Sequence, residues 1–571
     1  MSIKSVKKYL LAGIFLAVSF LAGNSAYAED EILVSNFNDF KTAIANAGTV
    51  KLESDITATG HLFSHNGTTI DLNGHTLNLA SYRLSLLDEN IIKDSSADKT
   101  GLITGSSTYP FLVGAAGSDQ PGKLTFESGN YRATGGASMQ IIAGSEMTIN
   151  GGNITSSKFT IYNNGGKLVI NGGNITSEAG IALYLVTGSL TVMNDGKVET
   201  LANANAVNMT GSCTFMMNGG KVDALHDGGS SVVGFKYSNV IINGGELNSN
   251  DSALVGNGSV DGGSEGTEAK FTVTGGKITS IHGNAIYAPQ PNGEVTVSGG
   301  TLTSNDYSVI EVRAGTLTIT GGTFNNSGDS YIVNRNDSGS TTQGTAVAIA
   351  QHNTKLPLNV TICGGSFNAV MPLSFTNPQG NPQTDINKIH VLIDEPCAPL
   401  EFNGTDDTTA VTVIDNGDFV IKGGTYSKNV ADYVADGYGI QTTAESKYIV
   451  HKYHNITVDD TNGSTVSTSR ALKGDHVTVT IQVPEGLIFS AIEVYNTQNE
   501  LLFTTSNTTF DMPDEDIIIK VKSLDEATID DEIPPVPNTG DHFVTYLGLT
   551  FVSIILGIYS LKLISFNKKS A

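Results

Sequence analysis

Tryptophan is absent from the 571 residues, cysteine occurs three times, and charged side chains make up only 15% of the chain. Three cysteines are too few for the disulfide framework of a small secreted scaffold. Cys363 with Cys397 is a conceivable pair; the simpler expectation leaves both, and Cys213, as free, buried small residues. Basic residues are scarce too: 32 Lys and Arg stand against 56 Asp and Glu, a net charge of −24. A surface of that sign repels nucleic acid and anionic lipid, which excludes a nucleic-acid partner. Glycine, by contrast, is abundant at 64 residues, in a chain too long for one compact core and suited to an elongated repeat.

The repeat is plainest over 147–326. Met147-Thr148-Ile149-Asn150-Gly151-Gly152-Asn153-Ile154-Thr155-Ser156 returns as Leu168-Val169-Ile170-Asn171-Gly172-Gly173-Asn174-Ile175-Thr176-Ser177, and looser copies end their glycine pairs at Gly196, Gly220, Gly245, Gly276, Gly300 and Gly322. A period in the low twenties marks a solenoid whose repeats stack on their neighbours. Each period divides into three short strands, as at 168–170, 174–177 and 181–185, so the expected fold is all-β: a coil of parallel sheets. Alternating apolar residues such as Leu168 and Ile170 point into a shared core. Glycine at the corners supplies backbone with positive φ.

Two columns follow from the period. Asn150, Asn171, Asn194, Asn218 and Asn243 all stand two places before the second glycine of their repeats. Stacked about 4.8 Å apart, their amides form a hydrogen-bonded ladder of structural purpose, which Thr274, Ser298 and Thr320 continue with hydroxyls. Tyr162, Tyr184 and Tyr287 fall 10 or 11 residues after their glycine pairs, on the third strand. They are the candidate ligand-binding residues, because phenol rings on a rigid sheet suit stacking against sugars. Tyrosine is also simply favoured in strands, and packing on neighbours would explain the column equally.

On these residues the chain resembles right-handed parallel β-helix proteins of the pectin-lyase-like superfamily, in the many-repeat form carried by bacterial surface proteins. The resemblance implies a right-handed parallel β-helix over 49–450, with roughly fifteen rungs at ~4.8 Å each. It implies architecture, not chemistry. A short amphipathic helix at 36–47, with Phe37, Phe40 and Ile44 at helical spacing, is expected to cap the coil, within an N-terminal cap at 29–48. Polar segments at 334–355 and 374–387 read as projecting loops. Alternating strands over 451–524 suggest a small β-sandwich-like module.

The ends carry an address. Residues 1–28 read as a secretory signal peptide, with Lys4, Lys7 and Lys8, an apolar run and Ala26-Tyr27-Ala28, cut after Ala28. After an acidic, proline-containing linker at 525–535 comes 536–571: Val536-Pro537-Asn538-Thr539-Gly540, an apolar run over 543–561, and Lys562, Lys568 and Lys569. This arrangement resembles the sortase sorting signal of Gram-positive wall proteins, although Val536 stands where leucine is commonest. The resemblance implies cleavage between Thr539 and Gly540 and attachment of the threonine carboxyl to peptidoglycan, with membrane contact only through this segment before sorting. A plain membrane anchor is the alternative. Between the two cleavage points the chain holds 26 basic and 55 acidic residues, a net −29.

No complete catalytic motif is present. Polygalacturonases of the superfamily resemble one another in an Asn-Thr-Asp, paired-Asp, Gly-His-Gly and Arg-Ile-Lys series, of which only Asp406-Asp407 finds an echo here. Glu311 and Arg313 share a strand face and read either as groups for an acidic sugar or as a surface ion pair. A lone Asp261-Gly262-Gly263-Ser264-Glu265-Gly266 is weak evidence for calcium, so no metal and no cofactor is expected. The function expected is that of a wall-anchored, non-catalytic adhesin on the Gram-positive cell surface, a rod presenting its side or loops to host or environmental glycans or proteins. A surface polysaccharide lyase or glycoside hydrolase, and a purely structural wall component, are the alternatives.

Overall fold

The computed structural model describes residues 31–525 apart from short stretches at 47, 66, 116–119, 137–138, 235–236, 257–267 and 407–408. The expected signal peptide with Ala28, the expected sorting signal Val536 to Gly540, the apolar run after it, and the glycine-rich stretch at Asp261 lie outside the described residues. So does Asp407. The chain divides into two units, 1–452 and 453–571.

The first unit is a right-handed parallel β-solenoid of about 15 turns, built as expected from three strands per turn. One turn illustrates the plan. Lys167–Ile170 pairs in parallel with Glu146–Ile149 before it and Leu190–Met193 after it. Asn174–Ser177 and Leu183–Val186 make the second and third rows in the same way. Leu168, Ile170, Ile175, Leu183 and Leu185 are fully buried between the rows. Burying a side chain of this size contributes about 1.5–3 kcal/mol, repeated in every rung.

The glycine pairs have two separate causes. The second glycine has left-handed backbone, as at Gly245 with φ +83°. The first is needed for proximity: a Cβ on Gly244 would stand 2.5 Å from the carbonyl oxygen of Asn218 in the preceding rung. Positive φ, inferred from the sequence for both, accounts for only one of them.

At the N-terminal end Phe37–Ala43 forms the expected helix, with Asn36 capping it by accepting from the backbone N–H groups of Asn38 and Asp39 at 3.1 Å. Phe40 and Ile44 are fully buried against the first rung. At the other end Tyr448–Lys452 pairs antiparallel with Gly424–Tyr426 and Tyr438–Thr442, which ends the parallel stacking.

Two expectations need correction, on the cysteines and on the 334–355 loop, and one long interval resolves. Cys363 and Cys397 form a disulfide, leaving Cys213 as a free, buried thiol whose pKa burial pushes up to about 11. Cys363 occupies the corner position that asparagine holds in earlier rungs, so the bond joins successive corners. The long gap from Gly365 to Gly424 hides a full rung, Ile389–Ile393 and Leu400–Gly404, beside a true insertion. Of the segment taken as a loop at 334–355, Thr345–Ala350 is a buried strand of the third row, and only the part before it projects.

The second unit has a five-stranded and a three-stranded sheet. They share a core that includes Ile456, Val477, Val479, Ile492, Phe510 and Ile519, consistent with the sandwich-like module expected.

Candidate functional site

The asparagine column lies exposed on the surface, not in a buried turn. Nδ2 of Asn171, Asn194, Asn218 and Asn243 each donates to Oδ1 of the asparagine one rung earlier, at 2.8–2.9 Å. Asn150 donates to Glu127 at 3.0 Å, and the hydroxyl of Thr274 donates to Asn243 at 2.8 Å. All the amide dipoles run one way, and the Glu127 carboxylate sits at their positive end. Every amide has both of its ladder partners within the chain, which marks the column as a brace.

The tyrosines share one outward column of the third row but do not all meet. Tyr162 lies directly opposite Tyr184, their ring centroids 5.5 Å apart and 27° from parallel, and Tyr109 stacks on Tyr162 at 6.0 Å. These rings pack on one another, so their faces are partly spent within the column. Tyr287 stands four rungs further on, past Asn208, Val233 and Val255. It is 9% exposed, not the wet ring expected.

What covers Tyr287 is the projecting part of the interval after Gly322. Residues 327–344, rich in Ser, Asn, Asp and Gly, leave the coil, and Ile332–Val333 pairs antiparallel with Thr342–Gln343. Glu311 and Arg313 hold this hairpin down. Both are fully buried, which overturns the surface-pair reading. The Glu311 carboxylate accepts from the N–H of Thr341 at 2.8 Å, its hydroxyl at 2.8 Å and the N–H of Thr342 at 3.3 Å. Burial raises its pKa, against the opposing pull of Arg313 and of these donors. Arg313 Nη1 donates to the Gly339 carbonyl at 2.6 Å and to the Tyr287 hydroxyl at 3.4 Å, while Nη2 has no partner among the described residues. Nε lies 4.0 Å from Glu311.

Between hairpin and sheet opens a cleft of about 330 Å³. Its walls include the rings of Tyr287 and Tyr307, the apolar Val255, Pro289 and Pro291, the Asp251 carboxylate, and Ser252, Ser340, His352 and Thr354. The volume is at the lower end of the roughly 300–1,000 Å³ of small-ligand sites. His352 is buried and its pKa is lowered, first by burial and then by Arg313, with Asp337 acting the other way; the ring is neutral at pH 7. Thr354 Oγ1 is buried without a partner among the described residues.

Of the residues singled out from the sequence, the cleft gathers only Tyr287, with Glu311 and Arg313 behind its wall. Asp251, Tyr307, His352 and Thr354 carried no repeat signal of their own. Their one pointer was the lengthened interval after Gly322. A two-carboxylate hydrolytic site needs both groups facing a common space. Among the described residues Asp251 is the only carboxylate lining the cleft, and Glu311 is engaged by the hairpin. No group of three or more His, Cys, Asp or Glu among the described residues is placed to hold a metal ion. Compared with protein-family models, curated proteins and solved structures, the chain matches none.

Proposed function

We propose that this chain is a cell-wall-anchored surface protein whose solenoid holds out a glycan-binding cleft without catalysing a reaction. The cleft beside the 327–344 hairpin carries the reading: aromatic rings, apolar walls and a few convergent polar groups on a rigid scaffold are the usual makings of a sugar site. The Cys363–Cys397 disulfide supports an oxidising, exported setting. The Val536-Pro537-Asn538-Thr539-Gly540 segment with its apolar run and basic tail supports sorting by a sortase onto peptidoglycan. The fold class agrees with the pectin-lyase-like resemblance.

Two experiments test the two halves. Deleting Thr539 and Gly540 should move the protein from the wall fraction into medium or membrane, and unchanged wall attachment would end the sortase reading. On an array of plant, microbial and mucin-type glycans the purified chain should be retained without releasing sugar, and Tyr307→Ala should abolish retention. Released sugar would instead make it an enzyme.

A further inference from the structure

We infer that the cleft selects a neutral N-acetylated sugar, an N-acetylhexosamine unit, over plain, amino or acidic sugars; this rests on the glycan-binding reading above. Charge sets the first condition. The chain is strongly acidic, and the exposed Asp251 lines the cleft, so an anionic ligand is repelled while sugar hydroxyls and amide N–H groups find an acceptor. The buried Arg313 does not reverse this, because Glu311 lies beside it. His352, held neutral, adds no positive charge.

The donors set the second condition. Thr354 Oγ1 is buried in the cleft wall with no partner among the described residues, an arrangement that costs about 1–3 kcal/mol unless something supplies the missing bond. The Tyr287 hydroxyl oxygen accepts from Arg313, which leaves its own hydrogen to donate; burial raises its pKa, so the phenol stays protonated. Both residues line the same cleft, and an acyl carbonyl offers such hydroxyl donors a strong acceptor that an unmodified hexose lacks. Val255, Pro289 and Pro291 supply the apolar surface that an acetyl methyl would cover, and the Tyr307 ring a face for the sugar. The volume admits one such unit, not a chain of them.

The test titrates the purified chain with the methyl glycosides of N-acetylglucosamine, N-acetylgalactosamine, glucosamine, glucose and glucuronic acid, and with N-acetylneuraminic acid. Calorimetry reads affinity and saturation-transfer NMR reads contact. Both N-acetylhexosamines should bind, with the acetyl methyl most strongly saturated. Glucose should bind about tenfold more weakly, and the two acids not measurably. Thr354→Val should weaken N-acetylhexosamine binding about tenfold while keeping or raising the melting temperature, since it removes a buried hydroxyl that has no partner to lose. Equal affinity for glucose, or preference for either acid, overturns the inference and leaves the glycan-binding reading standing. Binding that survives both Tyr307→Ala and Thr354→Val places the sugar elsewhere and also overturns it. Silence toward every sugar overturns both.

Discussion

Over 147–249 the coil is regular: short strands, close intervals, and an asparagine at each corner bonded to the next. From 324 to 426 it is interrupted, and different devices hold the rungs together. Phe324, Phe367, Phe402 and Tyr426 stack inside the core with centroids 4.7–4.8 Å apart and planes within 10°. The Cys363–Cys397 bond joins corners where amides would otherwise meet. The register between Gly315–Asn326 and Leu358–Ala369 shifts around Thr320, so the corner ladder stops there, while a second column, Asn403 donating to Asn368 and Asn368 to Asn325 at 2.9–3.0 Å, runs along the strands that keep register. An internal aromatic stack tolerates that, because it depends on rung spacing and not on corner geometry. The earlier rungs therefore supply a plain sheet wall, with Ser252, Val255 and Tyr287, and the interrupted half supplies the hairpin that makes a cleft against it.

The contrast can be broken from either side. Phe367→Ala removes the middle of the aromatic stack and should cost about 3–5 kcal/mol, seen as faster hydrogen exchange over 358–404 with 147–249 unaffected, because solenoid repeats contact mainly their neighbours. Reducing the disulfide should cost about 3–4 kcal/mol by the loop-entropy estimate for a sequence separation of 34, again felt only in the later rungs. Asn194→Ala breaks two exposed ladder bonds and should cost about 1–2 kcal/mol, loosening rungs on both sides of it. Loss of the same size from replacing an asparagine outside the column would show that the ladder is ornamental.

The smallest effect concerns pH. His352 has a pKa below its ordinary 6.5 in the fold, so the unfolded chain takes up a proton first as pH falls. Its neutral form supports the hairpin fully above pH 6.5, and that support is lost as pH falls below 6.5 towards the lowered folded value. Acid should therefore raise proteolysis within 327–344 before it touches the regular rungs. His352→Gln should flatten this response, and an unaltered acid profile would assign it to another group.

The regular half was legible because period, strand alternation and the asparagine offset all repeat, so each rung corroborates the last. Even there the sequence misjudged exposure: an amide two places before a glycine reads the same whether the corner is wet or dry. In the interrupted half legibility failed for a physical reason. Ser252, Tyr287, Tyr307 and Thr354 come together only because a hairpin folds back over sheet, and nothing periodic relates them. Glu311 and Arg313 were correctly placed on one strand face, but no local pattern tells that face from open surface once an insertion lies on it. The sequence offers Cys363 with Cys397 only as a conceivable pair, because an insertion hides that both stand at consecutive corners.

The most direct test compares the two tyrosine neighbourhoods. Hydrogen exchange of the purified chain, with and without a mucin-type glycan pool, should show protection at 287–291, 338–340 and 352–354. Protection confined to the Tyr162 and Tyr184 stack would contradict the account by placing recognition on the regular half, and protection at neither would remove glycan binding from it.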